Sequence, residues 1–180
     1  MQKVSKKKYI QIGSGLFCIL FCVFLDQMTK FLAVWHLKNA PAISIIPDVF
    51  ELYYLENHGA AFGILQGQKT FFIIMTTLAL IILIYLFIRI PDKKHYFYIR
   101  LILVLLISGA IGNFIDRCAH DYVIDFFYFK LIDFPVFNVA DIYVTMAAVF
   151  LILVFTFYYK EEDIDAIIGQ LMFWKKKEKP

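Results

Sequence analysis

The sequence predicts an all-α polytopic membrane protein: four transmembrane helices, a small extracytoplasmic β-rich cradle and a C-terminal interfacial helix. Three observations lead there. Of 180 residues, 61% are hydrophobic and 18% aromatic, with mean hydropathy +0.70. A soluble domain is only about 45–50% apolar. Four apolar runs, at 10–35, 71–88, 98–116 and 139–159, come close to or exceed the roughly 20 helical residues that cross a hydrocarbon core. Finally, most Lys and Arg lie in three places: Lys3, Lys6, Lys7 and Lys8; Arg89, Lys93, Lys94 and Arg100; and Lys160, Lys175, Lys176, Lys177 and Lys179. The positive-inside rule puts those three places in the cytoplasm. The chain, 1–180, then reads as one membrane domain with extracytoplasmic loops 36–69 and 117–138 and a cytoplasmic tail 160–180.

The first run opens like a signal peptide, with lysines before an apolar stretch, but it continues past Asp26 to Trp35 without a small-x-small cleavage site. It reads as a retained helix. Residues 10–25 rise about 24 Å as a helix, so Asp26 lies in the outer part of the bilayer. Lys30 follows at i+4, where the pair shares one helix face. Two roles are open: a neutralising pair that snorkels outward, or an inward-facing acid that supports a site.

The outer loop 36–69 is too long for a plain connector. It carries Phe50, Leu52 and Tyr54 alternating with Glu51 and Tyr53, a period-two strand signal, and then Asn57-His58-Gly59-Ala60-Ala61-Phe62-Gly63. The second run, 71–88, has no charge and reads as lipid-facing filler. In the third, Ser108 and Gly112 form a small-xxx-small pair that lets membrane helices approach closely, so this helix is central. Loop 117–138 holds Tyr122-Val123-Ile124-Asp125-Phe126-Phe127-Tyr128-Phe129, a β-prone segment that could grip an extended peptide by strand addition. The tail places Ile164, Ile167, Ile168, Leu171 and Met172 on a helical stripe, with acids before and lysines after, as an amphipathic interfacial helix would. Cys18, Cys22 and Cys118 read as apolar fillers. The spacing of His and Cys suggests no metal site, and no cofactor or nucleic-acid partner is expected.

One short phrase occurs twice: Asn113-Phe114-Ile115-Asp116 and Asn138-Val139-Ala140-Asp141. Asp116 lies about 27 Å along a span rising from the cytoplasm, and Asp141 is the third residue of a span descending from outside. Both carboxyls therefore reach the same depth, near the outer face. Taken alone, Asp141 is explained by a first turn with Asn138 as N-cap. Asp116 opposes its helix dipole and needs a partner. Two carboxyls in contact share one proton, as aspartic protease dyads do. Such a pair hydrolyses a peptide bond when the ionised member deprotonates water and the protonated one polarises the carbonyl. Asp116 and Asp141 are accordingly the expected catalytic pair. The rival class is a proton-coupled transporter subunit using the same acids as a relay.

These residues resemble the bacterial lipoprotein signal peptidase (signal peptidase II) family. The resemblance rests on Asp26-Gln27-Met28-Thr29-Lys30, the Asn57 to Gly63 block, Gly112-Asn113-Phe114-Ile115-Asp116-Arg117, Val123-Ile124-Asp125-Phe126 and Phe137-Asn138-Val139-Ala140-Asp141. It implies an aspartic endopeptidase that removes signal peptides from diacylglyceryl-modified prolipoproteins, cutting before the lipidated cysteine. By motif position it implies Asp116 and Asp141 as catalytic, with Asp26, Asn57, Gly59, Asn113, Arg117, Asp125, Asn138 and Ala140 binding substrate or supporting the site. It implies a bacterial cytoplasmic-membrane protein with both termini inside and its site near the outer face. It further implies membrane lipid and a globomycin-type inhibitor as partners, and the chain is expected to be a monomer.

Overall fold

The structure, a computed structural model, describes residues 6–59 and 66–171. Among them, four helices are long and apolar enough to cross a membrane: α1 (Lys6–Leu37), α2 (Lys69–Arg89), α3 (Phe97–His120, preceded by a 3-10 turn) and α4 (Val139–Phe157). Strands β1 (Ile43–Ile46) and β2 (Phe50–Asn57) lie between α1 and α2, β3 (Val123–Tyr128) lies between α3 and α4, and α5 (Glu161–Leu171) follows α4. Residues 60–63 of the second motif, and Met172 and the terminal lysines, fall outside the described residues. The helix α3 runs one turn further than the apolar pattern suggests. Arg117, Cys118 and Ala119 contain no breaker, and the helix stops only at Asp121, which takes the left-handed conformation at φ 72°.

The packing is inverted relative to a soluble bundle. Leu16, Phe17, Phe24 and Phe31 on α1, Ile81 and Ile82 on α2, and Ile152 and Leu153 on α4 are exposed, while the largest fully buried side chains include Lys30, Asn138, Asp26, Asp116, Asp125 and Ser108. Lipid tails are as apolar as leucine, so the outside costs nothing to cover with hydrocarbon, and specific contacts move inward. The central helix α3 packs against α1, α2 and α4. Its approach to α4 requires glycine: a Cβ on Gly109 would lie 2.6 Å from the Ala140 carbonyl oxygen and 2.7 Å from Val144 Cγ2. A Cβ on Gly112 would collide with the Asp26 carboxylate. The small residues anticipated in this helix therefore do face a neighbour.

That carboxylate belongs to an ionic cluster buried between the helices. The Lys30 ammonium sits 3.0 Å from Asp26 Oδ2 and 2.9 Å from Asp116 Oδ2, and donates to Asn113 Oδ1 at 2.9 Å. All three charged side chains are at most 2% exposed. Gln27 Nε2 donates to Asp116 Oδ1 at 3.0 Å, and the backbone N–H of Ala140 donates to Asp26 Oδ1 at 2.9 Å. Asp26 thus faces inward and caps the start of α4 from a different helix. The outward-snorkelling alternative does not describe it.

The three strands form one antiparallel sheet in the order β1-β2-β3. Ile124 and Phe126 of β3 pack on Ala33 and Leu37 at the far end of α1, with Leu52 and Tyr54 of β2 against them. The opposite face carries Tyr53, Leu55 and Asn57 of β2 and Val123 and Asp125 of β3. Alternation breaks at the end of β3, where Phe126 and Phe127 both donate their N–H to the Phe137 carbonyl, at 3.0 and 2.8 Å. Two successive donors on one acceptor are a bulge, and it brings Tyr128 back to the face that carries Asp125.

Two substitutions probe this frame. Gly109→Ala is expected to destabilise by about 1–3 kcal/mol, the usual cost of overpacking; a melting temperature in detergent equal to wild type would mean the helices do not approach so closely. Lys30→Met leaves two buried carboxylates without their cation and is expected to cost about 3–5 kcal/mol. A denaturant midpoint unmoved by that change would remove the cluster from the account of stability.

Candidate active site

A cavity of about 1460 Å³ opens between the sheet and the sheet-side ends of α2, α3 and α4. Its wall includes Asn57 and Gly59 from the end of β2, Asn113 and Arg117 from α3, Asp125 from β3 and Asp141 from α4. Apolar residues of the helices, among them Met75, Ala79, Gly109, Val144 and Met146, continue the wall along the bundle, so that one end of the space is polar and the other apolar.

Each acid in the wall is held by amides. Asn138 is the N-cap of α4, its side-chain oxygen accepting from Asp141 N at 3.0 Å while Asp141 Oδ2 accepts from Asn138 N at 3.1 Å. This reciprocal capping is what Asn-x-x-Asp at a helix start encodes. Asp141 Oδ1 also accepts from Asn113 Nδ2 at 2.8 Å. The same Asn138 donates its Nδ2 to Asp125 Oδ1 at 2.6 Å and to Asn113 Oδ1 at 3.1 Å. On its other oxygen Asp125 accepts from Asn57 Nδ2 at 2.9 Å. Asn57 in turn receives the Gly59 N–H at 3.0 Å, tightening the turn that leaves β2. One asparagine therefore holds both acids, and a second asparagine steadies each.

Electrostatics separate the acids. Burial pushes the Asp125 carboxyl up to about 7; the nearby Asp141 charge raises it further, while the hydrogen bonds from Asn57 and Asn138 and the Lys30 charge lower it. That combination, desolvation plus a like charge, is how one member of a carboxyl pair keeps its proton. Arg117 lies on the same wall. Its guanidinium stacks 4.8 Å from the Phe72 ring centroid and donates to the Gly59 carbonyl at 3.3 Å, tying α2, α3 and the β2 exit together.

The expected pairing of Asp116 with Asp141 is where sequence and structure part. Asp116 is 2% exposed and does not belong to the cavity wall. Its Oδ2 takes Lys30 and the Ile124 N–H at 3.1 Å, and its Oδ1 takes Gln27. With both oxygens occupied and a cation against it, this carboxylate pins the start of β3 to α3. Asp125 faces the cavity beside Asp141 instead. Of the other anticipated residues, Asn57, Gly59, Asn113 and Arg117 are in the wall, and Asn138 lies behind the two acids. Asp26 and Ala140 lie deeper and position α4. Lys30 and Gln27, both inside the first motif, organise the site yet were not singled out as site residues; the i, i+4 pairing of Lys30 with Asp26 was the available signal.

Comparison with known proteins agrees with the architecture. Residues 18–157 match the family model described as signal peptidase (SPase) II. The "Lipoprotein signal peptidase" of Caldanaerobacter subterraneus subsp. tengcongensis is 46% identical over 134 residues, 74% of this chain and 89% of that one. The protein of the same description from Streptococcus thermophilus is 45% identical over 145 residues, 81% and 92% of the two chains. A bacterial membrane enzyme solved in meso at 2.3 Å superposes with TM-score 0.72 at 35% identity, covering 83% of this chain and 93% of the other. A 1.9 Å structure described in the same way gives TM-score 0.71, covering 82% and 96%. The transporter alternative finds no support among these matches. This multi-pass membrane protein belongs to the signal peptidase II family.

Proposed function

We propose that this chain is an aspartic endopeptidase that removes the signal peptide of prolipoproteins, with Asp125 and Asp141 as its acid–base pair. The observation that carries the assignment is that these two carboxyls face one cavity and share Asn138, with Asp125 raised by burial and by the neighbouring Asp141 charge. The cut falls on the N-terminal side of a cysteine that already carries a diacylglyceryl group.

In this mechanism Asp125 holds the shared proton and Asp141 acts as base. Asp141 takes a proton from water as the hydroxide oxygen bonds to the scissile carbonyl carbon, and Asp125 donates to the carbonyl oxygen as charge develops there. Collapse of the tetrahedral intermediate breaks the C–N bond. The proton gained by Asp141 passes to the leaving amine, the new amino terminus of the cysteine, and the proton on the former carbonyl oxygen returns to the dyad. Asn57 and Asn138 keep Asp125 pointed at the cavity, while Asn113 does so for Asp141. Asp26, Asp116 and Ala140 act only by positioning the elements that carry the dyad, and Arg117 with Gly59 shapes the entrance. The charge distribution supports a cytoplasmic location for both termini and, with it, a site near the outer face. In this reading the chain is a single membrane domain working as a monomer, and a globomycin-type cyclic peptide competes for the same cavity.

Purified variants assayed on a diacylglyceryl-modified prolipoprotein test the assignment. Asp125→Asn and Asp141→Asn are each expected to lose about two orders of magnitude or more in kcat. Asp116→Asn is expected to reveal itself first as a lower melting temperature and to keep about tenfold more activity than either, since it touches no reacting atom. Asp116→Asn as inactive as Asp141→Asn, with Asp125→Asn active, would reverse the roles. The pH profile supplies an independent check. Asp125 works in its protonated form, so kcat/KM, which reports the free enzyme, is expected to fall as pH rises through about 7. A flat profile from pH 6 to 9 would remove Asp125 as the acid.

A further inference from the structure

Beside the two cavity-facing acids, four phenylalanines form a closed circuit of ring contacts. Phe50 lies 6.0 Å from Phe127, Phe127 5.6 Å from Phe137, Phe137 5.7 Å from Phe129, and Phe129 5.0 Å from Phe50, centroid to centroid. They come from three separate places: the start of β2, the end of β3 with the residue following it, and the approach to α4. With Ile142 they line a cavity of about 340 Å³, at the small end of ligand-binding pockets. The space is an open depression at the surface, with Phe129 41% exposed at its edge.

We propose that this box receives one acyl chain of the diacylglyceryl group on the substrate cysteine; the inference rests on the chain being a prolipoprotein peptidase. The box adjoins the active-site cavity, since Phe137 and Ile142 line both. Ile142 directly follows Asp141, and Phe137 directly precedes Asn138, so the box shares its backbone with the dyad. The cysteine that becomes the new amino terminus carries its lipid on Sγ, so its acyl chains start within a few bonds of the scissile nitrogen. None of the five lining residues bears a charge or a polar side-chain group. A cage for a quaternary ammonium would draw on cation–π attraction, but this uniformly apolar lining beside the bilayer favours hydrocarbon. The route to lipid is apolar as well: Phe129 at the rim is 41% exposed, and Leu131, Ile132 and Phe134 beyond it are 67%, 68% and 44% exposed.

Physical reasoning also says what the box does. Moving an alkyl chain from bilayer to an apolar box gains little transfer free energy, because both are hydrocarbon. Its contribution is orientation: a chain laid in the depression against the rings fixes the cysteine, and with it the scissile carbonyl, relative to the two acids. The box therefore acts as a gauge for lipidation, admitting to the dyad the peptide whose cysteine has been acylated with chains long enough to fill it.

The test uses the full chain in detergent micelles and one synthetic prolipoprotein peptide in two forms, its cysteine carrying either dipalmitoylglyceryl or dibutyrylglyceryl. Wild type is expected to prefer the long-chain form by about tenfold or more in kcat/KM, the low end of what an apolar pocket discriminates. Phe129→Ala, which opens the rim, and Phe129→Trp, which fills the box, are both expected to bring the ratio toward one. Melting temperatures verify folding, and the two variants change volume in opposite directions, so a packing defect in one is not shared by the other. A ratio unchanged in both variants, or a wild type indifferent to chain length, overturns the box. A wild type that cuts neither peptide overturns the peptidase reading itself.

Discussion

A single buried ammonium organises the sheet-bearing half of this bundle. Lys30 satisfies its three donors on Asp26, Asp116 and Asn113, two residues of α3 and one of its own helix. Removing charges from water is expensive, and a buried pair is tolerated only where each remaining lone pair finds a partner. Here the partners are structural as well as electrostatic. The second oxygen of Asp26 caps the start of α4, and Asp116 takes the Ile124 N–H of β3. One cation thus ties α1, α3, α4 and the sheet together in a region where apolar side chains provide little preference between helix partners.

The cluster reaches the chemistry through amides. Asn113 accepts from Lys30 and from Asn138, which leaves its NH₂ as the group turned to Asp141. An asparagine has one carbonyl and one amine end, so a cation on the carbonyl side decides which way the amide points. Asn138 is fixed in the same manner, since its oxygen is taken by the Asp141 N–H and its NH₂ must turn to Asp125 and Asn113. The network therefore allows one orientation of each amide, and each acid receives donors on both oxygens. Loss of Lys30 would free Asn113 to flip and present an oxygen to Asp141.

Much of this was legible in the order of residues because the relevant interactions are local. Apolar runs report helices, Asn138 and Asp141 spaced by three report a helix start, and Asp26 with Lys30 at i+4 reports a pair. That Asp125, and not Asp116, shares the cavity wall with Asp141 was not legible for a physical reason. Helix rise assigns a depth to every residue on a span, so Asp116 and Asp141 could be placed at one level. Asp125 lies on a strand, for which rise along the membrane normal means nothing until the sheet is docked. That docking depends on Ile124 and Phe126 meeting Ala33 and Leu37, a contact that no local pattern announces. Once β3 is laid on the end of α1, period-two alternation turns Asp125 to the other face, and the depth argument selects it instead of Asp116.

In the proposed mechanism the different supports of the two acids account for their different roles. Asp141 occupies the first turn of a helix, where backbone N–H groups and the helix field favour negative charge. Asp125 lies on a strand, which has almost no net dipole, and its donors are neutral amides insufficient to offset burial. Had both acids been carried by helix starts, both would tend to ionise and neither would keep a proton to give to the carbonyl. Had both lain on strands, neither would serve as a base at neutral pH. A fold that sets one helix start against one strand, with an asparagine bonded to each, therefore yields an asymmetric pair from two identical side chains, with the asymmetry written into the backbone.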